Sequence, residues 1–227
     1  ENADRDPMLR HAGIMALAGS GDPVKLAALK KHDSSSVRRA VVVALRRLKA
    51  AEVVEFLADS DTQVVVEAAR AIHDVPLAVG LEPLAKLIQR PSDNDALLRR
   101  VLNANFRLGT ADAAMALAEY AAKPAAPVAL RIEALQMLKS WGQPDPRDRV
   151  LNDFRPLPER PAAVAKAALA KALPMLLKNG DEARDFAVSI AAGYGLAEVI
   201  PVLQRRVADT NLRPEARADA LKSLAEL

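Results

Sequence analysis

The chain has 227 residues, with 32 basic and 29 acidic side chains, a net charge of +3 and an isoelectric point near 9.3. Hydrophobic residues make up 51%, yet aromatics only 3% and cysteine none, so Ala, Leu and Val must build the core. Disulfides, thiolate metal sites and covalent haem attachment are thereby excluded within this segment. Charges of both signs are scattered, which reads as solubilising surface rather than the one-sided basic face of a nucleic-acid binder.

In chain order, Asp6-Pro7 opens the first predicted helix, about 6–18, as an N-cap followed by proline at the first helical position. That helix contains Leu9-Arg10-His11-Ala12-Gly13-Ile14-Met15-Ala16-Leu17. The same grammar returns from Val37, Val64, Leu98 and Leu130. It predicts matching helices at about 34–48, 61–73, 95–108 and 127–140, here termed B helices. Apolar or small residues fall at offsets 0, 3, 4, 7, 8 and often 11 (Val37, Ala40, Val41, Ala44, Leu45 and Leu48 in the second copy), the stripe of an amphipathic helix. Between them lie A helices at about 22–31, 50–58, 78–89 and 111–122. Ser34, Asp61 and Asn94 or Asp95 are placed to cap B helices at their starts, and Gly19, Gly109 and Gly142 to end three of them.

After Trp141 the rhythm breaks. Pro144, Pro146, Pro156, Pro158 and Pro161 prevent a long helix between Gly142 and Pro161, and Val150, Leu151, Phe154 and Leu157 offer apolar anchors for an ordered, extended insertion. Helices resume at about 162–178, 182–193, 196–208 and 214–226. No segment alternates in the manner of a strand, so the fold class expected is all-α. Recurrence of this kind predicts an α-α superhelix, a right-handed solenoid of antiparallel helix pairs, in which each unit buries its apolar face on its neighbours. The expectation is one solenoid domain over 1–227: regular repeats over 1–141, a Pro-rich insertion over 142–161 and further repeats over 162–227. A start at Glu1 inside a B-type unit, and an end at Leu227 without a polar capping repeat, read as cuts from a longer chain.

The apolar-Arg-x-x-Ala-x-x-Ala-Leu phrases resemble HEAT repeats, a likeness that covers nearly all of the chain outside the insertion. A narrower resemblance rests on Asp6-Pro7-Met8-Leu9-Arg10-His11-Ala12, on Glu67-Ala68-Ala69-Arg70-Ala71-Ile72-His73-Asp74, on Arg100-Val101-Leu102-Asn103-Ala104-Asn105-Phe106-Arg107-Leu108-Gly109, and on Asp148-Arg149-Val150 with Arg155-Pro156-Leu157. These look like the HEAT region of exported bacterial membrane-bound dehydrogenases that carry a c-type haem domain. The resemblance implies a middle module, preceded by a sorbosone-dehydrogenase-like β-propeller and followed by the haem domain, in a periplasmic or other extracytoplasmic compartment. Sugar oxidation and haem would then belong to the flanking parts, since Cys-x-x-Cys-His is absent here.

Two sets of polar residues stand out on the B helices. Arg10, Arg38, Arg99 and Arg131 share offset 1, and Asp6 and Asp95 stand four residues before Arg10 and Arg99. That spacing favours a structural Asp–Arg ladder over a phosphate-binding row. Arg39, Arg46, Arg70, His73, Arg100, Asn103 and Arg107, with His11, occupy offsets 2, 5, 6 and 9, expected on the concave face. They are the candidate partner-binding residues, for an acidic peptide or a neighbouring domain. Asn105, at the usually alanine offset 7, is expected to be buried and to tie down a loop. The three histidines lack metal-ligand spacing, and Ser34-Ser35-Ser36 reads as cap and turn, so no catalytic, metal or cofactor residue is assigned.

The leading expectation is therefore a monomeric, non-catalytic scaffold or protein-interaction module of a larger exported protein with redox chemistry, binding a protein partner or its own flanking domains. The alternatives are a HEAT-like enzyme of lyase or DNA glycosylase type, disfavoured by a groove rich in Arg and poor in aromatics, and a phosphate-backbone nucleic-acid binder. No apolar run is long enough to insert in a membrane as a helix.

Overall fold

Alanine and leucine combine low side-chain entropy loss with high helix propensity, and helices dominate the result. The computed structural model describes residues 5–19 and 21–227, and among these it contains no β-strand. The chain falls into two compact units, residues 1–104 with 149–151, and residues 105–148 with 152–227.

The first unit holds α1 (Pro7–Gly19), α2 (Pro23–Ala27), α3 (Ser35–Leu48), α4 (Thr62–Asp74), α5 (Ala78–Lys86) and the greater part of α6 (Asp95–Leu108). Three 3-10 segments, Ala28–Lys31, Ala51–Ala58 and Leu87–Gln89, extend or replace the predicted A helices. Neighbouring helices pack on one another, the Ala51–Ala58 segment against both α3 and α4. Among the B helices α1 lies on α3 and α3 on α4, while α2 contacts the Ala51–Ala58 segment and that segment contacts α5. The A position at 51–58 is wound as 3-10 over its whole length, unlike the helix expected there. Three residues per turn set Val53 and Phe56 one above the other, and both are buried with Leu57.

Caps mostly follow the sequence. Asp6 accepts from the Met8 and Leu9 amides, Asp61 from Gln63 and Val64, and Asn94 from Leu97. Ser34 is at the N-cap of α3 without a side-chain capping bond. Gly109 has the left-handed backbone (φ +69°) expected of a helix-ending glycine. Gly142 does not. Its missing Cβ matters because it would approach the Ala162 Cβ to 3.1 Å.

The second unit holds α7 (Ala111–Ala122), α8 (Val128–Lys139), α9 (Ala162–Leu176), α10 (Glu182–Gly193), the 3-10 turn Ala197–Val199, α11 (Ile200–Ala208) and α12 (Pro214–Ala225). The alternation persists: α7 packs on α8 and α9, α8 on α10, α10 on α12, and α11 on α12. Between α8 and α9 there is no helix. An isolated antiparallel bridge joins Arg147 to Phe154, the Asp148 amide donates to the Asp153 carbonyl at 2.8 Å, and that of Arg155 to the Pro146 carbonyl at 2.9 Å. Asn152 turns the loop at φ +60°. Phe154, expected as an apolar anchor, is instead 72% exposed.

Candidate functional site

The polar residues singled out on the B helices meet different fates. Arg38 is buried in α3, where its Nε and Nη2 donate to the two carboxylate oxygens of Asp59 at 2.7 and 2.9 Å. Its Nη1 donates to the carbonyls of His32 and Asp33. Burial opposes ionisation of Asp59, but the Arg38 hydrogen bonds and backbone amides outweigh it and hold the carboxyl below its usual range. Asp59 precedes α4, the next B helix, and Arg90 donates to its carbonyl. The second unit repeats this arrangement. Arg131 on α8 is fully buried, donates through Nε to the Ala121 carbonyl at 2.7 Å, and pairs with Asp181, the N-cap of α10. In both cases an offset 1 arginine reaches an aspartate at the start of the second helical element after its own. Arg99 makes the predicted pair with Asp95 at 3.7 Å, half exposed.

Among the seven candidate partner-binding residues, the structure brings three together in the interior. His73, at the end of α4, is buried, and its Nδ1 lies 2.9 Å from Asp74 Oδ1. Its Nε2 accepts from the Asn103 amide at 2.8 Å. Arg100 closes the cluster, with Nε 3.0 Å from Asp74 Oδ1, Nη2 2.8 Å from Oδ2, and Nη1 on the Ala96 carbonyl. Burial works to raise the Asp74 carboxyl, but hydrogen bonds from His73 and Arg100 overcome it and hold it at about 2. His73, Arg100 and Asn103 are therefore buried, and do not lie open on a concave binding face as offsets 2, 5 and 9 led us to expect. The buried arc of α4 and α6 is broader than six offsets, taking in Val65, Val66 and Ala69 as well.

Arg107 belongs to the second unit and is engaged too. Its Nη1 donates to Asp148 at 3.2 Å and to the Arg155 carbonyl, while Arg155 itself lies 3.6 Å from Asp148. Burial lowers the Arg107 pKa, reinforced by Arg155 and opposed by Asp148. Arg39, Arg46 and Arg70 remain partly exposed. Arg70 bridges Glu67 at 2.6 Å one turn away. His11 is exposed on α1, and Asn105 is buried as expected. Among the described residues no cluster of three or more His, Cys, Asp or Glu could hold a metal.

No protein-family model matches the chain, and no curated protein matches it significantly. Among the described residues no helix is long and apolar enough to cross a membrane.

Residue reasoning missed one functional-looking side chain, Arg160, at the end of the insertion. Its guanidinium carbon lies 3.8 Å from the Trp141 ring centroid and 4.5 Å from that of Phe106, whose rings meet edge-on at 5.8 Å. Nε donates to the Trp141 carbonyl and Nη1 to that of Phe106. Burial lowers its pKa to about 10. Proline spacing drew attention to the segment, but nothing local announces a cation held between two aromatic rings.

Proposed function

We propose that this chain is a non-catalytic, HEAT-like α-solenoid module that acts as a scaffold or protein-interaction element within a larger exported protein with redox chemistry. The observation that carries this reading is the link, made twice, from an offset 1 arginine to an aspartate at the start of the second helical element after its own, Arg38 to Asp59 and Arg131 to Asp181. Such links fix the stacking of successive units, which is what a scaffold needs and a lone catalytic pocket does not. Packing of B on B and A on A within each unit supports the solenoid reading, as do the helical phrases of the sequence. The interior use of His73, Arg100 and Asn103 favours the same view, because their polarity is spent on holding α4 and α6 rather than on substrate. The membrane-bound dehydrogenase resemblance supplies the context: a propeller and a haem domain held apart at fixed spacing, outside the cytoplasm.

The test is capture in trans. Segments encoded on either side of this chain in its reading frame are expressed separately and presented to immobilised protein. Saturable capture, without turnover of sugar alcohols by the chain alone with an artificial electron acceptor, is the expected result. Turnover by the isolated chain, or no capture by protein with native circular dichroism, would overturn the proposal.

A further inference from the structure

Helix α1 is apolar on two sides, and only one of them is covered. Ile14, Leu17 and Ala18 are partly buried on the side where α1 packs on α3. Roughly opposite, Met8, Ala12, Met15 and Gly19 fall within about 60° of one another around the helix, and all four are exposed. Met8 is 76% exposed and Met15 41%, and no residue of α1 is buried. A helix that is apolar all round is ordinarily covered all round. The neighbouring face of α3, in the same unit, supplies charge. Ser36, Arg39, Ala40, Val43, Arg46 and Arg47 are partly or fully exposed within about 120° of arc, and α3 contains no Asp or Glu. Met8, Ala12 and Met15 hold the places in the repeated phrase that Ser36, Ala40 and Val43 hold one repeat later, so the two rows share one side of the packed pair. Arg38 is neutralised by Asp59, and Arg70 on α4 is offset by Glu67. Arg46 and Arg47 have no carboxylate within ion-pair reach among the described residues. The helix dipole accounts for basic residues in the last turn of α3, but not for Arg39 two turns earlier.

An apolar row beside a cationic row narrows the partner. A phosphate backbone would engage the arginines and leave Met8 and Met15 in water, whereas an amphipathic protein segment bearing carboxylates engages both rows. Methionine is unbranched and adapts to varied apolar surfaces, and guanidinium pairs with carboxylate through two parallel hydrogen bonds. Met8 to Met15 and Arg39 to Arg46 each span two helical turns, roughly 10.5 Å along the axis. Residues seven apart on a partner helix recur at that distance, while same-side residues of an extended strand recur at roughly 6.8 Å. We propose that the shared face of α1 and α3 docks an amphipathic helix of a protein partner, its apolar side on Met8 and Met15 and its flanking carboxylates on Arg46 and Arg47. The proposal rests on the interaction-module reading, and of the expected concave stripe it keeps only the part on α3, joined to α1.

The chain has five methionines, and methyl-labelled methionine lets NMR read Met8 and Met15 on this face against Met175, 51% exposed on α9 in the second unit. The probes are two end-blocked, alanine-based helical peptides of three heptads, one with Leu and Glu along a single side and the other with every Glu replaced by Gln. At low ionic strength the Glu peptide is expected to move the Met8 and Met15 methyl signals saturably and to leave that of Met175 in place. The Gln peptide should require at least roughly tenfold more, as two or three exposed ion pairs imply. Arg46→Ala combined with Arg47→Ala should raise the Glu peptide requirement by a similar factor, with native circular dichroism, and leave the Gln peptide requirement unchanged. No movement, equal potency of the two peptides, equal movement of Met175, an unaltered response in the folded double variant, or the same movement with a short DNA duplex would each overturn the proposal. Capture of the flanking segments by that double variant as strong as by wild type would remove this face and leave the scaffold reading standing.

Discussion

Arg100 grips Asp74 through two parallel hydrogen bonds, Nε to Oδ1 at 3.0 Å and Nη2 to Oδ2 at 2.8 Å, so that α6 is fastened to the end of α4. The same carboxylate engages His73, whose other ring nitrogen accepts from Asn103. Removing the carboxylate would strand a buried guanidinium and a buried imidazole together. Asp74→Ala should therefore destabilise the protein by about 3–5 kcal/mol, read as a lowered urea midpoint. A loss below about 1 kcal/mol would show that the cluster is not a structural clamp.

Acid should weaken the fold through the same residue. The Asp74 carboxyl is held at about 2 in the folded protein against 3.8 as its ordinary value. A depressed folded value contributes stability that is full above the ordinary value and lost as pH falls through the folded one. The contribution, ~2 kcal/mol, should vanish between roughly pH 4 and pH 2. Urea midpoints measured across that window in wild type and in Asp74→Asn should converge as the pH drops.

Close helix packing leaves no room for larger side chains at two positions. Ala44 is fully buried at offset 7 of α3. A Cβ at Gly80 would lie 2.7 Å from Ile72 Cγ2, so α5 crosses α4 at a distance only glycine permits. Ala44→Leu and Gly80→Ala should each cost about 1–3 kcal/mol by overpacking. Wild-type thermal midpoints for both would contradict the close approach.

The arginines of the expected stripe should separate into two classes on mutation. Arg39→Ala, Arg46→Ala and Arg70→Ala, at partly exposed positions, should change stability by no more than about 0.5 kcal/mol each. Arg107→Ala removes one of the two arginines beside buried Asp148, leaving Arg155 at 3.6 Å, and should cost several times more, about 2–4 kcal/mol. Uniform small effects across all four would return Arg107 to the surface class.

The helices were legible because their determinants are local. Apolar residues at 3.6-residue spacing, Asp6, Asp61 and Asn94 at N-caps, and five prolines in twenty residues act within one or two turns of where they stand. The offset 1 arginines were legible in part. Their ladder role could be read from Asp95 and Arg99, whereas the aspartates Asp59 and Asp181 lie 21 and 50 residues away from Arg38 and Arg131. The 3-10 winding of Ala51–Ala58 was hidden, since the choice between three and 3.6 residues per turn over so short a segment is set by the neighbours it must fit.

By itself, the sequence determined the all-helical class and the break in the helices after Trp141, because backbone hydrogen bonding and amphipathic burial are settled within each segment. The tertiary structure alone decided which polar groups are spent inside. His73, Arg100 and Asn103 were placed by offset on the concave, partner-binding face, yet contacts between α4 and α6 draw them into a buried cluster around Asp74. Arg160 gained its aromatic cage from Phe106, 54 residues away, and Trp141, 19 residues away. Burial of a charge is a property of what surrounds it, and those surroundings come from distant parts of the chain.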